Sequence, residues 1–217
     1  RPDSFSLYIS IPFCPTRCDY CSFVSQTVEK AKRLVPRYVE LLAQEIARTG
    51  EIARALGLRL ETVYFGGGTP TTLSAELTTL FRAVESSFDF SHLREYTVEA
   101  GRPDTVTMDK LRAIRAAGAT RVSINPQTLR DDVLQAIGRR HTVAQFLEAF
   151  DMACRCGLDN TNTNLIAGLP GDDYEGFTQT LEGILRLDPE SVTVHTLSMK
   201  RASNLVIHRR ADYRVKD

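Results

Sequence analysis

Residues 6–23 read SLYISIPFCPTRCDYCSF, a short run rich in Ile and Tyr followed by Cys14, Cys18 and Cys21 within eight positions. Its β-rich composition predicts a short strand, and the proline and cysteines after it predict a loop at the strand's carboxyl end. Three thiols spaced Cys-x-x-x-Cys-x-x-Cys suit a ligand that takes three protein bonds. A closed zinc site takes four, and the nearest fourth ligand, Asp19, would have to come from the same short loop. A four-iron, four-sulfur cubane held by three thiolates keeps one iron without a protein ligand, and that iron can chelate a small molecule. The cubane is the preferred reading, with zinc or unligated thiols the alternatives.

Outward from this stretch, short β-rich runs alternate with helical patterns. Strands are expected near residues 6–12, 62–67, 95–100, 121–127, 161–168 and 191–199, each rich in Val, Ile, Tyr or Thr and most ending in Gly, Pro or a polar cluster. Between them, Val35, Val39, Leu42 and Ile46 share one helical stripe with Pro36 in its first turn. Leu77, Leu80, Phe81 and Val84 form a second after a Ser74 cap, and Leu111 with Ile114 a third, stopped by Gly118. Phe146, Phe150 and Ala153 mark another helix, and Phe177, Leu181 and Ile184 the last, ending before Pro189. Such alternation predicts an α/β fold with a parallel sheet. An eight-unit barrel typically takes about 250 residues, so six units fit 217 better and predict a partial (β/α)6 barrel with helices outside. Chemistry in such folds collects at the carboxyl ends of the strands, where this sequence places its clustered cysteines and glycines.

Bulk properties narrow the class. With 42% hydrophobic residues the chain builds one core, and residues 1–217 are expected to form one domain. Lys plus Arg equal Asp plus Glu at 27 each, so net charge recommends neither nucleic acid nor an anionic membrane as partner. No 18-residue apolar run occurs, and the polar start RPDSFS is unlike a secretion signal; a cytoplasmic protein with no integral membrane segment is expected. Five cysteines, three of them crowded, argue against a disulfide scaffold. Cys154 and Cys156, near a helix end, read as ordinary core or surface thiols.

The cysteine spacing resembles the signature of the radical S-adenosylmethionine (SAM) enzymes. The segments YISIPFC, FGGGTPT, TVEAGRPDTVT, SINPQTLRDDVLQAIGRRHT and NLIAGLPGD further resemble successive motifs of the oxygen-independent coproporphyrinogen III dehydrogenase group, which includes HemN, HemW-type haem chaperones and HemZ, with the HemZ branch most similar. The resemblance covers essentially the whole chain and implies a 4Fe-4S cluster on Cys14, Cys18 and Cys21 with S-adenosyl-L-methionine on the fourth iron. It implies that Tyr8 stacks beside the cluster and that Tyr20 presents its backbone to adenine. Gly67, Gly68 and Thr69 would hold the methionyl end, Glu99 a hydroxyl or amino group, and Gln127, Arg139 and Asn164 further polar groups of the cosubstrate. The blander readings are a core Tyr8, a solvent-facing Glu99, a strand-end Gln127 and an Arg139 on a solvated helix end.

Three positions depart from the group's pattern: Ser10 stands for a histidine, Asn164 for an aspartate, and Phe23 for a further cysteine. The last bears on the reaction more than on the cluster. By resemblance the chain is a radical SAM oxidoreductase of haem biosynthesis that decarboxylates coproporphyrinogen III propionates to vinyl groups, drawing electrons from a low-potential donor such as flavodoxin or ferredoxin. Lys200 and Arg201, after the last strand, would meet propionates. The rival is a haem-binding chaperone that keeps the cluster without decarboxylating; His195 would then be an axial ligand, against the simpler reading of a buried, hydrogen-bonded histidine. The group's dehydrogenases carry a further carboxy-terminal domain over the barrel opening, so the chain is expected to be a core fragment. No catalytic residue is named by the sequence.

Overall fold

The computed structural model describes residues 3–23 and 26–207. Its main sheet has six parallel strands: β1 (Ser4–Ile11), β2 (Arg59–Gly67), β3 (Glu95–Glu99), β4 (Arg121–Ser123), β5 (Thr161–Ala167) and β6 (Ser191–Thr196). Spatial order equals chain order, with β1 and β6 as the edges, so the sheet stays open. The predicted partial (β/α)6 architecture is the observed one.

Helices α1 (Val35–Ala55), α2 (Ala75–Ser87), α3 (Met108–Ala116), α4 (Asp131–Ala136), α5 (Val143–Arg155) and α6 (Tyr174–Leu185) connect the strands. The expected stripes are the buried ones, with Leu42 of α1 only half-buried: Val35, Val39 and Ile46 in α1, Leu77, Leu80, Phe81 and Val84 in α2, Leu111 and Ile114 in α3. They meet Ile9, Ile11, Val63, Phe65, Tyr96, Val98, Val122 and Ile124 of the sheet in one core. α5 begins with a capping box, in which Thr142 accepts from the Gln145 N–H and the Gln145 side chain accepts from the Thr142 N–H. At α2 the Ser74 side chain makes no capping bond, and the Glu76 carboxylate accepts from the Ser74 N–H at 3.3 Å instead.

The other sheet face departs from the norm. Parallel strands are usually apolar on both sides. Here the register aligns Tyr8 with Tyr64, Tyr64 with Thr97, Glu99 with Ser123, Ser123 with Asn162, and Asn164 with Thr193. Asn162 ties this row together: its amide donates to Ser123 and Asn164, and its carbonyl oxygen accepts from Ser191 and Thr193. A polar face of this kind costs desolvation unless its groups bond each other or a ligand.

β3 and β5 end one residue before their expected bounds, and two strands fall short by more. β4 stops at Ser123 because the Asn125 side chain takes the Ser123 hydroxyl and the Asn164 N–H, and Gln127 turns the chain at φ 72°. Gln127 then rejoins the sheet by a single bridge to Leu165. β6 ends at Thr196, three residues early.

Candidate cluster and cosubstrate site

The cysteine loop is clamped from several sides. Gly68 N–H bonds the Ile11 carbonyl at 2.7 Å and Thr69 N–H the Phe13 carbonyl at 2.8 Å, so the β1–β2 pairing runs on into the loop. A Cβ on Gly68 would lie 2.6 Å from the Phe13 oxygen and 2.9 Å from Cys14 Sγ, so only glycine fits there. Thr69 Oγ1 donates to Cys14 Sγ at 3.6 Å. From beyond α4, the Ile137 carbonyl accepts from Asp19 N–H at 3.0 Å, and the Asp19 carbonyl accepts from Leu205 N–H at 3.0 Å. Beneath the loop, Tyr20 packs on a small second core of Val133, Leu134, Ile137, Ile166, Leu169, Leu197 and Leu205.

Two buried guanidinium groups flank the thiols. Arg139, 8% exposed, donates to the Gly101 and Asn125 carbonyls at 3.1 and 2.9 Å and to the Tyr20 hydroxyl at 3.1 and 3.3 Å. Arg102, 2% exposed, donates to the Thr16 carbonyl, to Thr16 Oγ1 at 3.0 Å and to Cys18 Sγ at 3.6 Å, with Asp104 as counter-ion. Buried cations need such partners, and thiolate charge beside them would be compensated. As free thiols, Cys14 and Cys21 are held above the usual range, by burial first and by the neighbouring sulfurs among the further causes. Metal coordination would displace those protons.

The donor set fits a cluster. Among the described residues no three His, Cys, Asp or Glu side chains converge on a common position for one metal ion. Three thiols lining one cavity supply the soft sulfur donors that hold an iron–sulfur cluster. A buried polar atom awaits a partner beside them: Gln127 Oε1, on a residue 6% exposed, has none. Its positive φ is the kind of outlier that gathers at ligand sites.

A cavity of about 340 Å3 joins these groups, large enough for a small-molecule ligand. The three cysteines, Tyr20, Gly67, Gly68, Thr69, Glu99, Gln127, Arg139 and Asn164 all line it, each at or beyond a strand's carboxyl end except Asn164, which lies midway along β5. Tyr8 is not among the lining residues; it lies on β1, 59% exposed, stacked on Tyr64 at 5.6 Å, which removes the core reading. Glu99 is not a solvated loop carboxylate either. Burial pushes its pKa up, against the Tyr64 hydroxyl at 2.5 Å and the Gly67 N–H, which favour the charged form. Arg139 is likewise no solvated helix end. His195 corrects the expectation of a buried histidine, for it is exposed and lines the cavity mouth with Lys200. Arg201 is exposed and is not among the lining residues. Cys154 is exposed, and Cys156 is buried against Met108.

Sequence reasoning missed Arg102 and Asn125, which also line the cavity, and Tyr64, which orients Glu99. Arg102 carried a signal: a cation between Gly101 and Pro103, directly after a strand end, has no amphipathic helix to account for it.

Fold and cavity together place the chain in a class, and comparison with known proteins agrees. The Radical SAM superfamily profile matches residues 8–184, and the chain belongs to that superfamily, whose members use a 4Fe-4S cluster and S-adenosylmethionine. It is 43% identical over 205 residues to the oxygen-independent coproporphyrinogen-III oxidase-like protein HemZ of Bacillus subtilis, covering 94% of this chain and 41% of that protein. To the heme chaperone HemW of the same organism it is 36% identical over 197 residues, covering 88% and 50%. The solved structure of coproporphyrinogen III oxidase HemN from Escherichia coli, a radical SAM enzyme, superposes with a TM-score of 0.84 at 26% identity, over 98% of this chain and 48% of that one. The chain thus spans half the length or less of these relatives. No helix among the described residues is long and apolar enough to cross a membrane.

Proposed function

We propose that this chain carries the SAM-cleaving site of an oxidoreductase that converts propionate side chains of coproporphyrinogen III to vinyl groups. The observation that carries the reading is the convergence of Cys14, Cys18 and Cys21 with Gly67–Thr69, Glu99, Gln127, Arg139 and Asn164 on one cavity. Held by these residues, a reduced cluster with S-adenosylmethionine would supply the one-electron cleavage chemistry that starts hydrogen abstraction from the substrate. Cys14, Cys18 and Cys21 would hold three irons. Gly68, having no side chain, lets a methionyl group approach the backbone closely. Glu99 would accept from a ribose hydroxyl or the amino group, and Gln127 Oε1 from another donor of the cosubstrate. Arg139 orders the Tyr20 loop by bridging it to Gly101 and Asn125. Lys200 at the mouth would pair with a propionate.

Anaerobic reconstitution should give close to four irons per chain and, with dithionite, release 5′-deoxyadenosine and methionine. Coproporphyrinogen III should then yield a vinyl product in the full-length protein. Zinc, or no metal, on the loop would overturn the cluster. Cleavage without any vinyl product would overturn the substrate.

A second reading rests on two observations: an exposed His195 lines the same mouth, and Phe23, 66% exposed, follows the third cluster ligand by two positions. These suit a haem carrier with His195 as axial ligand. A Soret shift on adding haem, lost in His195→Ala, would support it.

A further inference from the structure

From the face behind the cysteine loop, we infer a docking surface for an acidic electron-donor protein, centred on Lys30, Lys32, Arg33 and Leu34. The inference rests on the radical SAM reading above. The cavity side of the thiols is the side that cosubstrate and substrate occupy, so an electron has to arrive through another wall. One flank of the loop, Ile137 and Leu205 with the turn before it, leads to Lys200 at the cavity mouth. The other flank is short: Cys14 pairs directly with Thr27, and a helical turn, Val28–Ala31, starts at the next residue. One strand spacing and three helical residues put the Lys30 backbone within about 10 Å of the Cys14 backbone.

This flank has the features of a protein-binding patch. Lys30, Lys32 and Arg33 are exposed, and none enters an ion pair among the described residues. Between them and α1 sits Leu34, an apolar side chain left 65% exposed. Glu29 is the acidic residue within this turn, while Arg37 is already paired with Glu40 at 2.8 Å. In a chain whose formal net charge is zero, such a cluster is a local asymmetry rather than a general basic character. An apolar centre with a cationic rim suits a partner with an acidic rim. The patch is also held rigidly to the thiols. Ala31 is buried, Tyr38 of α1 donates to the Ser10 carbonyl at 2.6 Å, and its ring meets Phe13, next to Cys14, edge-on at 5.2 Å. One electron leaves the donor's reduced cofactor and enters the iron–sulfur group, with no atom exchanged across the interface.

The test uses full-length protein and reduced flavodoxin as the acidic probe. Binding measured by calorimetry should weaken on the order of tenfold as salt rises from about 0.01 M to about 0.3 M. It should weaken at least as much in Lys30→Glu/Lys32→Glu/Arg33→Glu, and by less in the triple Gln variant. Flavodoxin-driven 5′-deoxyadenosine release should fall in parallel, while dithionite-driven release stays unchanged. Equal flavodoxin binding by the wild-type and charge-reversed proteins overturns the surface, including the case in which other parts of the longer protein cover it. Failure of dithionite to drive cleavage in the wild type speaks against the catalytic reading, and the calorimetric comparison still decides the docking surface.

Discussion

Gly68 and Arg102 show how single residues hold the cysteine loop. At Gly68 the Phe13 oxygen and Cys14 sulfur leave no space for a methyl group. Gly68→Ala should cost about 1–3 kcal/mol, as overpacking does, and should lower iron per chain after reconstitution while far-UV circular dichroism stays native. Arg102→Gln leaves the Thr16 carbonyl short of a donor and removes a positive charge beside Cys18. It should destabilise by about 1–3 kcal/mol and shift the cluster midpoint to more negative potential, read by an EPR-monitored redox titration. The cysteines and glycines were legible because their spacing is local. Arg102 was not, because its partners Thr16 and Cys18 lie 86 and 84 positions away and no periodicity connects them.

Among the elements, the long helices could be read from their stripes, since each buries one face against the sheet. α4, six residues long, is too short to show a stripe, and its segment was read as a motif rather than as a helix. β4 was read four residues too long because β-propensity is silent about a side-chain amide that captures the next strand's N–H, as Asn125 does. The polar sheet face needed the register, which sets Tyr8, Tyr64 and Thr97 in one row and Glu99, Ser123, Asn162 and Ser191 in another. Scaffold and site separate cleanly in α5. Phe146 is fully buried in the main core and does not line the cavity. Phe146→Ala should lose about 3–5 kcal/mol in urea unfolding, while the protein that remains folded at low temperature keeps its iron content.

At the scale of the molecule, a histidine buried beside the site's cations should make the fold acid-sensitive. His141 is buried near both guanidinium groups. Burial first, then the charges of Arg139 and Arg102, push its pKa down to about 3. The unfolded chain therefore binds a proton here that the folded chain refuses between about 6.5 and 3. Its contribution to stability is complete above about 6.5 and is lost as pH falls toward 3. Urea midpoints should drop between pH 7 and pH 4.5, and His141→Gln should flatten that drop. Glu99, whose pKa is raised, works with the opposite sign: its contribution is present at acid pH and fades as pH rises past the usual carboxylate range. An increase in stability on acidification from pH 7, with His141 intact, would show that the histidine is not the dominant group.

Because spatial order along the sheet is the order of synthesis, each strand leaving the ribosome finds its neighbour already in place. The cysteine loop is made before its clamps at Ile137 and Leu205, which are translated much later. The nascent polypeptide therefore lacks those two clamps on its sulfur-bearing loop until residues 137 and 205 have emerged, and metal delivery that waits for that moment meets a finished receptacle.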